Sequence, residues 1–487
     1  MKQHLTYWGL ATRLWVALTA ALLSGAAPCS KAVLFTNLYS FTGGSDGQFP
    51  MSALMQGQDG NLYGTTDYGG FAPFIFGYGT VYSLTLDGTF SSIYVFQNNG
   101  DPEHPDFSGL VEDQDGFFYG TTVVGGDFSD GTVFTTDTNG LLFAIYSFSP
   151  YGGDGVGPQS GLALTPDGSL FGTTVNGGNN SFGTVFQLDY FWDYTKWFSF
   201  NGPNGASPYG PLVLARDGRL YGTTFAGGAF FHGLNTSGNP TGYGTVFRMS
   251  TNGVFASLFS FSGTNGAQPI AGLVQARDGA LYGTTQTGGA YGYGTVYKIT
   301  TNGLFTLLLS FDGVSMGGYP VGGLVQGTDG NFYGTTADLR YISVDGTTGN
   351  SVGNGTIFRI TPAGSYTKLH SFTGGRGGIE PLAGLLQASD GNFYGTCLAG
   401  ENGLGMIYRL SVPQAPVLQV PRSSPAGITL TWSAMQGQNY QVQYENALAP
   451  SGWNNLGGVL TATNSVMSAL DPAPHGPARF YRVVLLQ

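Results

Sequence analysis

One compound motif recurs seven times along this chain and limits its fold more than any other feature. An aromatic-Gly-Thr-Thr tetrad begins at Tyr63, Tyr119, Phe171, Tyr221, Tyr282, Tyr333 and Tyr394, with Cys397 replacing the last Thr of the final copy. An Asp-Gly pair precedes each tetrad, at Asp59, Asp115, Asp167, Asp217, Asp278, Asp329 and Asp390. A Gly-Thr-Val-aromatic run, or a close variant, follows from Gly79, Gly131, Gly183, Gly244, Gly294, Gly355 and Gly405. Each copy reads as four strands. Strand a is typified by Gly272 to Gln275, strand b by Leu281 to Thr285 and strand c by Gly294 to Ile299, and strand d ends at Phe311. Asp-Gly and Asn-Gly pairs tolerate positive φ and close the a–b and c–d hairpins. Four antiparallel strands in roughly 50 to 60 residues is the period of a propeller blade, and the 3.6-residue apolar pattern of a helical repeat is absent.

The two ends of the repeat array are informative. The strand-d signature ends at Phe41, Phe96, Phe148, Phe200, Phe261, Phe311 and Phe372, so the first precedes any strand a and the seventh copy has none of its own. Placing Val33–Phe41 beside the last three strands completes that blade and removes two unpaired edges. The expected fold is therefore all-β: a seven-bladed β-propeller over residues 33–411, its N-terminal strand completing the last blade, followed by a small β-sandwich. A linker at 412–416 precedes residues 417–487, whose runs Ile428–Trp432, Tyr440–Tyr444 and Arg479–Val483 alternate with period two. These resemble a fibronectin type III or immunoglobulin-like sandwich, expected to serve as a spacer or a surface-attachment module.

Composition excludes some functions. A net charge of −11 with only 17 Lys and Arg leaves no cationic cluster for a phosphate backbone, so no nucleic-acid partner is expected. Lys2, Arg13 and the apolar run Leu14–Leu23, followed by Ser24 to Ala27, read as a signal peptide over residues 1–32, with cleavage near 26–32. Pro28 before Cys29 departs from a lipobox, and no second apolar run is long enough to span a bilayer. A secreted, extracellular or cell-surface monomer without a transmembrane segment is expected after cleavage. With only Cys29 and Cys397 present, its core and not a disulfide framework must hold it.

The strand directions place the short a–b and c–d hairpins on one face and the longer, more variable b–c and d–a connections on the other. Binding residues belong on variable loops over a rigid scaffold. Each d–a connection ends in a Pro, preceded by Phe49, His104, Gly157, Ser207, Gln268, Tyr319 or Glu380. The candidate ligand-binding set is Phe49, His104, Ser207, Gln268, Tyr319 and Glu380, a ring at the channel mouth. Tyr68, Phe71, Phe74, Phe76, Phe230, Phe231 and Tyr341 in the b–c connections are further stacking groups. Glu103 and Glu380 would be the carboxylates of a glycosidase or lyase. The run Gly43-Gly44-Ser45-Asp46-Gly47 is followed by strand a and not by the helix that a nucleophile elbow needs, and reads as a loop. No His pair has metal-ligand spacing, and Asp113 to Gly116 reads as a turn and not a calcium loop, so no metal, cofactor or catalytic residue is assigned.

The string Asp278–Tyr297 resembles the GloVer-type extracellular tandem repeat family, and the resemblance covers about Val33 to Ser411. It implies export and a repeated β-architecture, and it carries no activity and no catalytic residues. Members often end in a surface-sorting anchor, which Arg479–Gln487 does not resemble. The functional expectation is a secreted, non-catalytic binding scaffold for a carbohydrate or surface protein, working through the b–c and d–a loops. The alternative is a polysaccharide-active hydrolase or lyase with acidic residues at the channel mouth.

Overall fold

The computed structural model describes residues 33–70, 77–97, 102–107, 109–151, 153–337, 353–412, 416, 418–419, 421–434, 438–446, 453–464, 466–472 and 479–486. The signal segment and the loop aromatics Phe71, Phe74, Phe76 and Tyr341 lie outside these residues. Among the described residues the structure is all-β, with one short 3₁₀ turn at Gly375–Gly377, and no helix is long and apolar enough to cross a membrane. One compact unit comprises Val33–Ala388 with Phe393–Ser411, and the other is built mainly on Val412–Gln487.

Seven four-stranded antiparallel sheets of the first unit share the order a-b-c-d. In the fifth repeat the strands are Val274–Gln275, Leu281–Thr285, Thr295–Ile299 and Phe305–Ser310. Strands b and c are buried along nearly their whole length, because each sheet is covered on both faces. The Gly of the tetrad exists for this packing: a Cβ on Gly283 would lie 2.6 Å from the Tyr297 hydroxyl on the paired strand. Strand a is shorter than expected, with two residues in the ladder. The segments leading into neighbouring a strands approach backbone to backbone at glycine, where a Cβ on Gly210 would lie 2.7 Å from the Ala271 carbonyl carbon.

Two threonines of each tetrad have separate tasks. The second bonds the Thr that opens strand c, as in Thr285–Thr295 at 2.8 Å, in six repeats. In the seventh repeat, buried Cys397 and Met406 stand in that place. The first Thr donates to a carbonyl of the following repeat: Thr65 to Pro105, Thr121 to Ser160, Thr173 to Pro208, Thr223 to Ala271, Thr284 to Gly322 and Thr335 to Ala383. The seventh, Thr396, donates to Ser52 of the first repeat at 3.4 Å.

The N-terminal strand Leu34–Ser40 pairs antiparallel with Met406–Ser411, strand c of the last repeat. Its register carries the same one-residue bulge, after the same strand-c position, that strand d carries in the other six sheets. Its rings face both ways: Phe35 stacks on His370 of the sixth repeat at 4.0 Å, and Tyr39 stacks on Phe90 of the first at 4.2 Å. Equivalent stacks join other consecutive d strands, as Phe198–Phe255 and Phe259–Phe305 do.

The second unit has a three-stranded sheet of Arg422–Ser424, Gly427–Ser433 and Val466–Asp471. A second sheet is built on Asn439–Glu445, which pairs with Phe480–Leu486. Both contribute to one buried cluster containing Ile428, Leu430, Trp432, Tyr440 and Val442.

Candidate functional site

At the loop-bearing end of the sheets, the residues before the seven prolines share one backbone state. Phe49, His104, Gly157, Ser207, Gln268, Tyr319 and Glu380 all have φ between +53° and +66°. Six of them carry a Cβ in a region that costs on the order of 1 kcal/mol or more per residue. Each is held by two hydrogen bonds. The Tyr319 N–H donates to the Tyr293 carbonyl, just before the Gly that opens strand c of the preceding repeat, and its own carbonyl accepts from the Ala337 N–H after strand b. The same pair recurs at the other six, and at Phe49 it joins the first repeat to Leu404 of the last. The following proline lies against that strand-c glycine, so a Cβ on Gly294 would stand 2.7 Å from Pro320 Cδ. The equivalent contact at Gly405 is with Pro50. The left-handed turn is thus a clasp between repeats.

The side chains of this ring are partly or fully buried. Phe49 meets Tyr68 edge-on at 6.1 Å, Tyr319 meets Tyr293 at 5.4 Å, and Gln268 Oε1 accepts the Thr287 hydroxyl at 2.8 Å. Glu380 is half-buried, and burial pushes its carboxyl up. The structure holds Glu103 in a two-residue ladder with Val124 in the second repeat, and Glu380 is bonded through its backbone to Asn354 and Leu398. They therefore belong to different repeat junctions. Of the described loop aromatics, Phe231 packs on Phe182, Phe230 on Tyr243 and Tyr68 on His104. Asp46 in the Gly-rich N-terminal loop accepts the Thr42 N–H and hydroxyl, each at 2.7 Å.

One junction departs from the rest. His104 Nδ1 lies 3.2 Å from Asp67 Oδ1 and 3.0 Å from the Asp67 carbonyl. Burial works against the imidazolium there, but the bond to Asp67, its charge and that of Glu103 outweigh it and raise the His104 pKa. Two residues on, Asp106 occupies the position after the proline. The other copies place Met51, Gln159, Tyr209, Ile270, Val321 and Leu382 there. Desolvation first, and the Asp67 charge second, push the Asp106 carboxyl well above the usual carboxylate range. Its Oδ1 is buried without a hydrogen-bond partner. Reading the residue after each proline as a column would have exposed this Asp. The ring of residues before the prolines ends two residues short of it. Among the described residues, no group of three His, Cys, Asp or Glu side chains is placed to hold a metal ion.

All seven repeats line a cavity of about 330 Å³. Its wall is apolar at Met51, Ile270, Val321 and Leu382, and Gln159 and Tyr209 supply polar side chains.

No curated protein matches this chain in sequence. Solved structures with similarity include puromycin hydrolase, 13% identical over 80% of this chain and 60% of that one, with a TM-score of 0.46. A puromycin-hydrolyzing peptidase of Mycobacterium tuberculosis is 10% identical over 83% and 62%, with a TM-score of 0.45. The BP39L lectin of Burkholderia pseudomallei is 11% identical over 75% and 96%, with a TM-score of 0.48. The model of the Gloeobacter/Verrucomicrobia repeat matches residues 73–234 and 229–423, and the chain belongs to that family.

Proposed function

We propose that the chain is an exported, non-catalytic binding scaffold whose seven repeats close into a β-propeller. Closure is supported by the Thr396–Ser52 and Phe49–Leu404 bonds, which repeat between the last and first sheets the links made at every other junction. Leu34–Ser40 acts as strand d of the seventh blade, and the two-sheet C-terminal unit is a fibronectin type III or immunoglobulin-like module. Export is read from the N-terminal segment. The observation that carries the binding reading is the cavity to which every repeat contributes, with an apolar wall and few polar groups. A carbohydrate or surface protein would dock over its loop-bearing mouth, beside the clasps that join the repeats. The ring from Phe49 to Glu380 shapes that mouth.

A second reading, a polysaccharide hydrolase or lyase, is favoured by one observation. Desolvation first and the Asp67 charge second push the Asp106 carboxyl up, and its Oδ1 is buried without a hydrogen-bond partner. A general acid requires a carboxyl that keeps its proton. Incubating the full chain with neutral and acidic polysaccharides, and measuring reducing ends and unsaturated products, separates the two readings. The scaffold reading expects a bound glycan or protein without turnover. Product release abolished by Asp106→Asn would establish the enzyme.

A further inference from the structure

The opposite end of the sheets carries a second departure, at the hairpins of the second and third repeats. In repeats one, four, five and six, the tetrad Tyr donates its hydroxyl to the turn Asp, as Tyr63 does to Asp59 and Tyr282 to Asp278, at 2.8 and 2.9 Å. The second repeat diverts this bond. Asp113 accepts the Tyr119 hydroxyl and the N–H groups of Asp115 and Phe117, each at 2.9 Å, and among the described residues nothing donates to the exposed Asp115 carboxylate. The third repeat removes the donor, since Phe171 has no hydroxyl. Asp167 Oδ1 then accepts the Thr165 hydroxyl and the Ser169 N–H, and its carboxylate stays exposed. Two neighbouring repeats thus free the same carboxylate by different substitutions.

Between these turns lies a cleft of about 430 Å³ lined by Asp115, Phe117, Asp167, Tyr190 and Trp192. Its aromatic wall comes from the third c–d hairpin. At the turn position whose N–H bonds back three residues, five other hairpins place Gly88, Gly140, Gly253, Gly303 and Gly364, all at positive φ. Here Trp192 takes that position with φ +66°, against the preference of any residue with a Cβ. Tyr190, Phe191 and Trp192 are 69%, 80% and 47% exposed, and Phe117 across the cleft is 43% exposed. The Tyr190 ring lies over the Asp167-Gly168 turn, where a Cβ on Gly168 would stand 3.0 Å from it.

We propose that this cleft binds a neutral saccharide. Flat aromatic faces accept the C–H face of a sugar ring, and open carboxylates accept its hydroxyl donors. Asp115 and Asp167 repel uronates and sulfated glycans, which fixes the charge class of the ligand. The site lies at the end of the strands away from the loop-bearing mouth and does not depend on the proposal made for that mouth.

Affinity electrophoresis of the full chain through gels containing mannan, xylan, mixed-linkage β-glucan or polygalacturonate tests this. At least one neutral polysaccharide is expected to retard the protein, and polygalacturonate is not. Trp192→Gly restores the residue of the other hairpins, so it is expected to fold with an unchanged or higher melting temperature and to weaken retardation at least tenfold. Asp115→Asn is expected to weaken it severalfold. The proposal is overturned if no neutral polysaccharide retards the chain, if Trp192→Gly is retarded as the parent is, or if polygalacturonate retards it equally.

Discussion

The two ends of the sheets use the repeat differently. At the loop-bearing end the clasp residues, the first threonine of each tetrad and the strand-c glycines are bonded or packed against the next repeat, seven times over. At the hairpin end neighbouring turns are bonded at several junctions, as Arg216 is to Gln275 and Arg277 to Gln326, but two neighbouring turns present exposed carboxylates beside exposed aromatics. The clasp positions of the loop-bearing end vary in sequence and share one backbone geometry. The c–d hairpins share a turn glycine, which Trp192 replaces in the third repeat. Variable loops are therefore an incomplete guide to function in a repeat protein, and a broken repeat rule is a sharper one.

The largest expected effect comes from the seam between first and last repeats. Deleting residues 33–41 exposes the strand-c edge of Met406–Ser411 and strips the stacks on His370 and Phe90. Loss of the cooperative thermal transition is expected, read by circular dichroism. Next come glycines from the two ends. Gly294→Ala drives a Cβ into Pro320 and the Thr285 carbonyl at φ +95°, and should cost about 3 kcal/mol in urea unfolding. Gly279→Ala at a hairpin, φ +82° with nothing within 4 Å, should cost about 1 kcal/mol. Equal costs would erase the contrast.

Asp106→Asn should stabilise the protein at pH 7 by about 1–3 kcal/mol, since a buried carboxyl with an orphan oxygen is disfavoured once charged. Its folded pKa is raised, so the native state binds the proton more tightly. Parent stability then falls as pH rises from the ordinary carboxylate range through the folded pKa. The gain should shrink below about pH 4, where both folded and unfolded Asp106 are protonated. The smallest effect is at His370, whose pKa burial lowers and whose ring stacks on Phe35. Stability from this site is lost as pH falls below about 6.5, where the unfolded imidazole takes a proton that the folded one resists. His370→Phe should flatten that acid limb by about 0.5–1 kcal/mol.

Much of the architecture was legible because the repeat states it seven times. The tetrad, the Asp-Gly and Asn-Gly hairpins and the displaced strand-d signature at Phe41 led to the four-stranded sheets and to the pairing of Leu34–Ser40 with the last repeat. The length of strand a was not legible, because a short apolar run does not say how many of its residues pair with strand b. The ring before the prolines was legible as a set of positions, but its left-handed clasp was hidden. Residues as different as Phe49, Ser207 and Glu380 adopt one backbone state under tertiary compulsion. Asp113 was visible as an extra acid, yet its capture of the Tyr119 hydroxyl, which frees Asp115, needs coordinates. Trp192 in a glycine's place needed only an alignment of the six c–d turns.

The central claim is that what recurs in every repeat builds the fold and what departs from the repeat binds. One paired measurement tests it most directly: melting temperature and neutral-polysaccharide retardation for Trp192→Gly beside Gly294→Ala. Trp192→Gly is expected to lose retardation without losing stability, and Gly294→Ala, which drives a Cβ against Pro320 at the clasp, to melt lower and be retarded like the parent. Retardation lost in Gly294→Ala and kept in Trp192→Gly would contradict it.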